Sequence, residues 1–406
     1  MVPEAGRAPN LIHVAFTLLG GASWLGGRHY LLNLLRSVRS YGACAVAPVV
    51  FAGDDVPQDE LDLYRAIEGV EVVVSPHFAA RRRVWRLAQA VVWGLDTKAV
   101  GLFRTANIDV VFEPAQFYGW RLPMPALAWI PDFQDRHLPH MFSRGAHVHR
   151  RLGQWVQVLS GRTFILSSED ARGDCERFYP LARGRTRVVR FAVPPPREVP
   201  AEEIAAVRKR YGLPEEFFFL PNQLWAHKNH ICVVRALKIL KDAGHDRVVA
   251  VTGNPNDIRH GSHFGSLMQE VSASGLDNHF RMLGVVLYED VLTLMQSAVA
   301  LLNPSHCEGW STTVEEAKSS GTPMILSNLD VHREQAGDAA QYFSPDSPEE
   351  LATRLREFRA ASEVERRALA QQARADAPRR LAEFARAFCE AITESMSPGQ
   401  PKLQVQ

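Results

Sequence analysis

The chain has 406 residues, 46% hydrophobic and 22% charged, with a formal net charge of +1 at pH 7. That length suits two domains with separate cores, and the near-neutral balance gives no reason to expect nucleic acid or another polyanion as partner. The 5 cysteines are scattered and lack any C-x-x-C spacing, which argues against a disulfide framework or a zinc site and for reduced cytosolic thiols. The first ten residues carry no signal pattern, and no apolar run approaches the roughly 18 residues of a membrane span. The protein is expected to be cytoplasmic and at most peripheral to a membrane.

In chain order, short β-rich runs at 11–16, 44–51, 70–74, 108–112, 126–130, 163–166 and 187–191 alternate with helical patterns. This alternation predicts a parallel sheet flanked by helices. Residues 193–200, Val-Pro-Pro-Pro-Arg-Glu-Val-Pro, read as a linker, because proline lacks a ladder donor and favours extended backbone. The alternation restarts with strands at 217–220, 248–252, 280–283, 299–303 and 324–326, predicting a second α/β domain. Residues 363–394 form a long charge-rich helical stretch, and a disordered tail is expected from Ser397. The expected domains are 1–195, 196–375 and a C-terminal helix and tail over 376–406.

The most informative segment is 304–324, where Glu308 and Glu316 stand eight positions apart across a helix start. Glu308 follows an apolar strand, and Glu316 falls on the second turn of a helix that Gly321 and Pro323 would end. Both carboxylates can then face one ligand, although two solvated glutamates at a helix end is the plainer reading. Thr312 with Glu315 reads as a capping box, which makes Glu315 scaffold. Upstream, the strand 217–220 runs into Asn222-Gln-Leu-Trp-Ala-His-Lys-Asn-His230, placing Lys228 beside a helix N-terminus. A full positive charge added to unpaired N–H groups suits a diphosphate.

Segment 304–324 resembles the donor-binding motif of family 4 glycosyltransferases, and the whole chain resembles bacterial members that assemble cell-surface polysaccharide, including lipopolysaccharide. The resemblance implies a GT-B fold: two Rossmann-like domains facing across a cleft, with a C-terminal helix crossing back to the first. It implies a retaining transferase that moves a hexose-type sugar from a GDP- or UDP-sugar to a glycan or lipid-linked glycan acceptor, with no metal and no other cofactor. By the same resemblance, Lys228 and Glu308 serve the leaving diphosphate and the sugar. Gly309, Trp310, Ser311 and Thr312 supply nearby amides, and Glu316 bonds the ribose. Asn229, Gly253 and the pair Leu283-Gly284 border the donor. Gln223 stands where the family usually has arginine, so leaving-group stabilisation falls more heavily on Lys228 and the helix amides.

Gly26 and Gly27, in a glycine-rich stretch after the first strand, let backbone approach a ligand, or serve only a turn. Asp132 closes the strand 126–130, where a parallel fold exposes functional groups. It binds the acceptor, or assists its deprotonation, or merely forms a turn; His137 is a weaker candidate. Asp54-Asp55 reads as a turn rather than a metal site. The basic clusters at 81–86 and 143–151, with Trp85 and Trp93, suit either an anionic membrane surface or ordinary solvated helix faces with the two tryptophans, at two-turn spacing, in the core. Two other readings stay open: a nucleotide-sugar epimerase or hydrolase of the same architecture, and a non-catalytic nucleotide- or glycan-binding relative.

Overall fold

The computed structural model describes residues 11–18, 25–42, 44–114, 116–255 and 261–397. The leading segment 1–10, the glycines at 20 and 21, part of the loop after Gly253 and the tail beyond Ser397 lie outside the described residues.

The chain divides into two compact units. Unit one comprises 1–133, 145–192 and 379–406, and unit two comprises 134–144 and 193–378. In unit one, strands β1 (Ile12–Thr17), β2 (Val46–Ala52), β3 (Glu71–Val74), β4 (Val110–Pro114), β5 (Ala126–Trp129), β6 (Thr163–Leu166) and β7 (Thr186–Val188) form one parallel sheet. Its order is β3-β2-β1-β4-β5-β6-β7. In unit two, β8 (Phe218–Leu220), β9 (Val249–Thr252), β10 (Phe280–Gly284), β11 (Ala300–Asn303), β12 (Met324–Ser327) and β13 (Ala340–Phe343) form a second, ordered β10-β9-β8-β11-β12-β13. Both sheets share the doubly wound plan, with the reversal of strand order at β1/β4 in one and at β8/β11 in the other. Loops beyond the carboxyl ends of strands at such a reversal are where a ligand binds.

Each sheet buries both faces, so its strands read as continuous apolar runs rather than alternating ones. The stretch 217–220 shows this residue by residue. Phe218 and Leu220 enter one core with Leu237 and Val251, whereas Phe217 and Phe219 enter the opposite core with Leu301 and Val314. Truncating any of these to alanine would cost about 2–5 kcal/mol. β13, absent from the sequence reading, is the half-exposed edge of its sheet and carries little apolar signal.

Three local expectations are corrected. Gly26 and Gly27 lie in the first turn of helix Leu25–Tyr41 rather than in an open loop. That helix buries Leu31, Leu32, Leu34, Leu35 and Val38 as its spacing requires. The capping box does not form, because Ser311 is the N-cap of helix Thr312–Ser320 and Thr312 is its first residue. Glu315 instead receives Lys318 Nζ at 2.8 Å and Gln335 Nε2 at 3.1 Å, so it is scaffold by another route. Trp85 and Trp93 are not core: they are 51% and 63% exposed.

Gly321 ends its helix at φ +72°, and a Cβ there would come within 2.6 Å of the backbone of Leu369 and Ala370. The final helix, Glu363–Met396, contains Pro378 at the boundary where the chain passes from unit two back to unit one. None of the 5 cysteines is in a disulfide.

Candidate functional site

β8 and β11 are neighbours in register, with Ala300 opposite Phe218 and Leu301 opposite Phe219. The segments that leave their carboxyl ends are therefore adjacent. From β8 the chain passes through a 3-10 turn, Ala226–Lys228, and then Asn229 in the left-handed region at φ 55°, before helix His230–Asp242 begins. Asparagine tolerates that conformation better than most side-chain-bearing residues. Its amide is spent on structure, with Nδ2 donating to the carbonyls of Pro304 at 3.1 Å and Pro345 at 2.8 Å. Asn229 thus braces the loop it was expected to offer to a ligand. The His306 amide donates to the His227 carbonyl at 2.9 Å, tying the two loops together.

This arrangement brings Lys228 Nζ within 2.6 Å of Glu308 Oε1, with side chains only 14% and 9% exposed. Ser305 Oγ lies 2.6 Å from the same carboxylate oxygen, and Asn303 Nδ2 lies 3.5 Å away. Burial alone would raise the Glu308 pKa, but the Lys228 charge and the Lys228 and Ser305 hydrogen bonds outweigh it and draw it down to about 2. Glu316 moves the other way. On the buried side of helix Thr312–Ser320 it has no cationic partner among the described residues, and burial pushes it up to about 7 against the opposing hydrogen bond from Tyr288 Oη at 2.9 Å. Two carboxylates driven apart in this way have different tasks: Glu308 is a fixed anion, and Glu316 titrates near neutrality.

Behind them, Asn303 Nδ2 donates to Ser311 Oγ at 2.8 Å, and Asn222 Nδ2 reaches Asn303 Oδ1 at 3.3 Å. Gln335 grips the N-cap at two points: its Oε1 accepts from the Ser311 amide at 3.1 Å, and its Nε2 donates to the Ser311 carbonyl at 2.8 Å. The Ser311 amide is therefore engaged and is not offered to a ligand. His332 is fully buried, with Nδ1 2.9 Å from the Ser327 carbonyl, a contact that fixes the proton on Nδ1. Burial lowers its pKa, so it is neutral.

Gln223 has a definite structural task. Its Oε1 accepts from the Asn254 amide at 2.9 Å, joining the loop after β8 to the loop after β9. Gly253 permits that approach: at φ +147° a Cβ would stand 2.3 Å from the Asn222 carbonyl oxygen. Lys318 Nζ lies 5.9 Å from the centre of the half-buried Trp310 ring.

Lys228, Glu308, Glu316, Gln223, Asn229, Gly253 and residues 309–312 all belong to unit two, and Gly26, Gly27 and Asp132 belong to unit one. Asp132 accepts from Arg150 Nη2 at 2.8 Å. His137 ends the short helix Gln134–His137, which groups with unit two. Asp54 and Asp55 occupy a turn, bonded to Arg81 and to the Ala80 amide. The residues that sequence reasoning missed are Tyr288, Asn303, Ser305 and Gln335, none of which stands in a motif of its own.

Residues 203–376, nearly all of unit two's main segment, match the family model described as glycosyl transferases group 1. The structure is similar over 97% of its length to all of a glycosyltransferase from Rickettsia africae, with a TM-score of 0.71 at 14% identity. The chain has the GT-B fold. It is similar also to HepE of Anabaena in complex with UDP and glucose, with a TM-score of 0.67 at 16% identity over 94% of this chain and 100% of that one. In sequence it resembles the O-antigen chain mannosyltransferase RfbU of Salmonella typhimurium, 29% identical over 132 residues. That match spans 32% of this chain and 35% of the relative's length. Low identity with the solved structures establishes the GT-B architecture, whereas the chemistry has to be argued from the site.

Proposed function

We propose that this GT-B protein is a retaining glycosyltransferase of the family 4 type. It moves a hexose from a GDP- or UDP-sugar to a glycan or lipid-linked glycan acceptor in surface polysaccharide assembly, on the cytoplasmic side of a membrane and without a metal. The observation that carries this reading is the Lys228–Glu308 pair at the β8/β11 reversal, with Glu316 on the helix that follows. The similarity to an O-antigen mannosyltransferase supports the class of acceptor, and the structural likeness to a protein bound to UDP supports the class of donor.

As the bond from the anomeric carbon to the diphosphate breaks, negative charge grows on the leaving phosphate. Lys228 has three N–H donors, so one can stay on Glu308 while others turn to phosphate oxygens. Glu308 keeps the ammonium aimed, a preorganised electrostatic arrangement. The first-turn amides of helices His230–Asp242 and Thr312–Ser320 add partial positive charge. Glu316, when ionised, accepts from ribose hydroxyls. In same-face transfer the leaving phosphate takes the acceptor proton, and no side-chain nucleophile is needed. Asp132, held by Arg150, serves to orient acceptor hydroxyls.

The test is incubation with UDP-glucose and GDP-mannose and a lipid-linked glycan acceptor, followed by NMR of the anomeric proton in the product. Transfer with the donor's anomeric configuration kept is expected. An inverted linkage, an epimerised donor or free sugar alone would replace this reading with another.

A further inference from the structure

The helix Arg83–Val92 is amphipathic in the wrong sense for a soluble domain. Val84, Trp85, Ala88, Val91 and Val92 fall in an arc of about 120°, and that arc faces solvent: Val84 is 81% exposed, Val92 70% and Trp85 51%. The inward face carries a charge instead. Arg86 is buried, with Nε 3.2 Å from Asp96 Oδ2, Nη2 3.1 Å from Gln116 and its guanidinium 4.8 Å from the centre of the Phe78 ring. Asp96 is held in turn by His77 at 2.7 Å. Rolling the apolar arc inward would break this buried network, so the outward orientation is locked.

The patch extends past the helix. Trp93, 63% exposed, follows it, and Trp120, 49% exposed, donates from Nε1 to the Val91 carbonyl at 3.4 Å. Gly94 leaves room for that ring, since a Cβ there would meet it at 2.5 Å. Cationic side chains rim the patch at both ends. Arg81 and Arg82 precede the helix and Arg83 opens it, Arg81 being paired with Asp54, while Arg104 and Arg121 line one hollow with Trp93. Tryptophans and valines bordered by arginines are the composition of a surface that enters the headgroup layer of an anionic bilayer. The stripe is about 15 Å long and roughly 10 Å wide, far short of the ~800 Å² per partner that a stable protein interface needs.

We propose that the outward face of helix Arg83–Val92, with Trp93 and Trp120, docks this protein on an anionic lipid surface. The inference extends the reading of a transferase with a lipid-linked acceptor but is tested apart from it, because vesicle binding is measured without nucleotide or sugar. The full-length protein is floated with vesicles of phosphatidylcholine alone and of phosphatidylcholine mixed with phosphatidylglycerol. Binding to the anionic vesicles that weakens with added salt is expected. Arg82→Gln/Arg83→Gln should lower it about twenty-fivefold, at roughly fivefold per basic side chain. Val84→Gln/Trp85→Gln/Val92→Gln should lower it more than about tenfold by withdrawing apolar area. The altered side chains are exposed, so thermal melting should stay unchanged and both variants should retain nucleoside diphosphate binding. Equal binding to both vesicle types, no binding by the wild type, or wild-type binding by both variants overturns the proposal. So does light scattering showing that the apolar variant turns a dimer into a monomer, which would assign the stripe to a second copy of the chain.

Discussion

Replacing Lys228 with methionine removes the cation 2.6 Å from Glu308 and leaves a carboxylate only 9% exposed, with Ser305 and Asn303 as its remaining neighbours. Breaking a buried pair from one side costs about 3–5 kcal/mol. The pH dependence identifies the cause. In the wild type Glu308 lies near 2, below its ordinary 4.5, so its contribution to stability is complete above about pH 4.5 and is lost only as pH falls toward 2. In Lys228→Met the chief opposing charge is gone, burial outweighs the Ser305 hydrogen bond that remains, and the Glu308 pKa rises above its ordinary 4.5. Such a group is least costly when protonated, so the variant regains stability as pH falls from 7 to 4.5, by up to about 3 kcal/mol. Urea unfolding at several pH values should show a gap between wild type and variant that is widest at pH 7 and narrows in acid. Lys228→Met/Glu308→Gln should recover most of the stability at pH 7 yet remain inactive, because the phosphate contact is still missing. A gap independent of pH, or a double variant no more stable than the single one, refutes the reasoning.

Glu316 has the opposite sign: its folded pKa is raised to about 7, so its contribution is complete below about pH 4.5 and fades as pH climbs through 7. Glu316→Gln should therefore be more stable than wild type at pH 8, by at most about 3 kcal/mol in urea unfolding, while losing nucleoside diphosphate affinity. Tyr288→Phe removes the hydrogen bond that opposes the upward shift, so affinity for a ribonucleoside diphosphate at pH 7 should drop several-fold and its pH midpoint should move up, whereas the 2′-deoxy analogue should show a smaller loss by calorimetry. Gly253→Ala forces a Cβ to 2.3 Å from the Asn222 carbonyl at a φ that alanine resists; we expect a loss of about 2 kcal/mol or more in thermal unfolding and weaker donor binding as Gln223 loses its hold on Asn254. Asn229→Ala removes both carbonyl braces and should destabilise by about 2 kcal/mol, with a rise in the donor KM.

Much of this was legible in the sequence where a signal repeats or punctuates. The strands of both sheets announced themselves as apolar runs because parallel sheets bury both faces, and Gly321 marked a helix end because few other residues take its φ. Glu308, Glu316 and Lys228 stood out through spacing and their positions beside helix starts. What stayed hidden depends on contacts between elements far apart in sequence. Gln335 lies 24 residues from the Ser311 it grips, and Tyr288 lies 28 residues from Glu316. Thr312 and Glu315 have the letters of a capping box, but Gln335 and Lys318 claim the carboxylate first. The outward tilt of Trp85 and Trp93 follows from a buried Arg86–Asp96 pair that no helical periodicity reveals. The grouping of 134–144 with unit two is likewise tertiary, since that segment reads locally as a loop.

The most direct test is calorimetric titration of the wild type and of Lys228→Ala with UDP and GDP in the presence of a chelator. Tight binding of one nucleoside diphosphate by the wild type, weakened more than about tenfold by loss of one charge-assisted contact, is the result expected. Binding that requires a divalent metal, or equal affinity in both proteins, would contradict the assignment of Lys228 and Glu308 to the donor diphosphate.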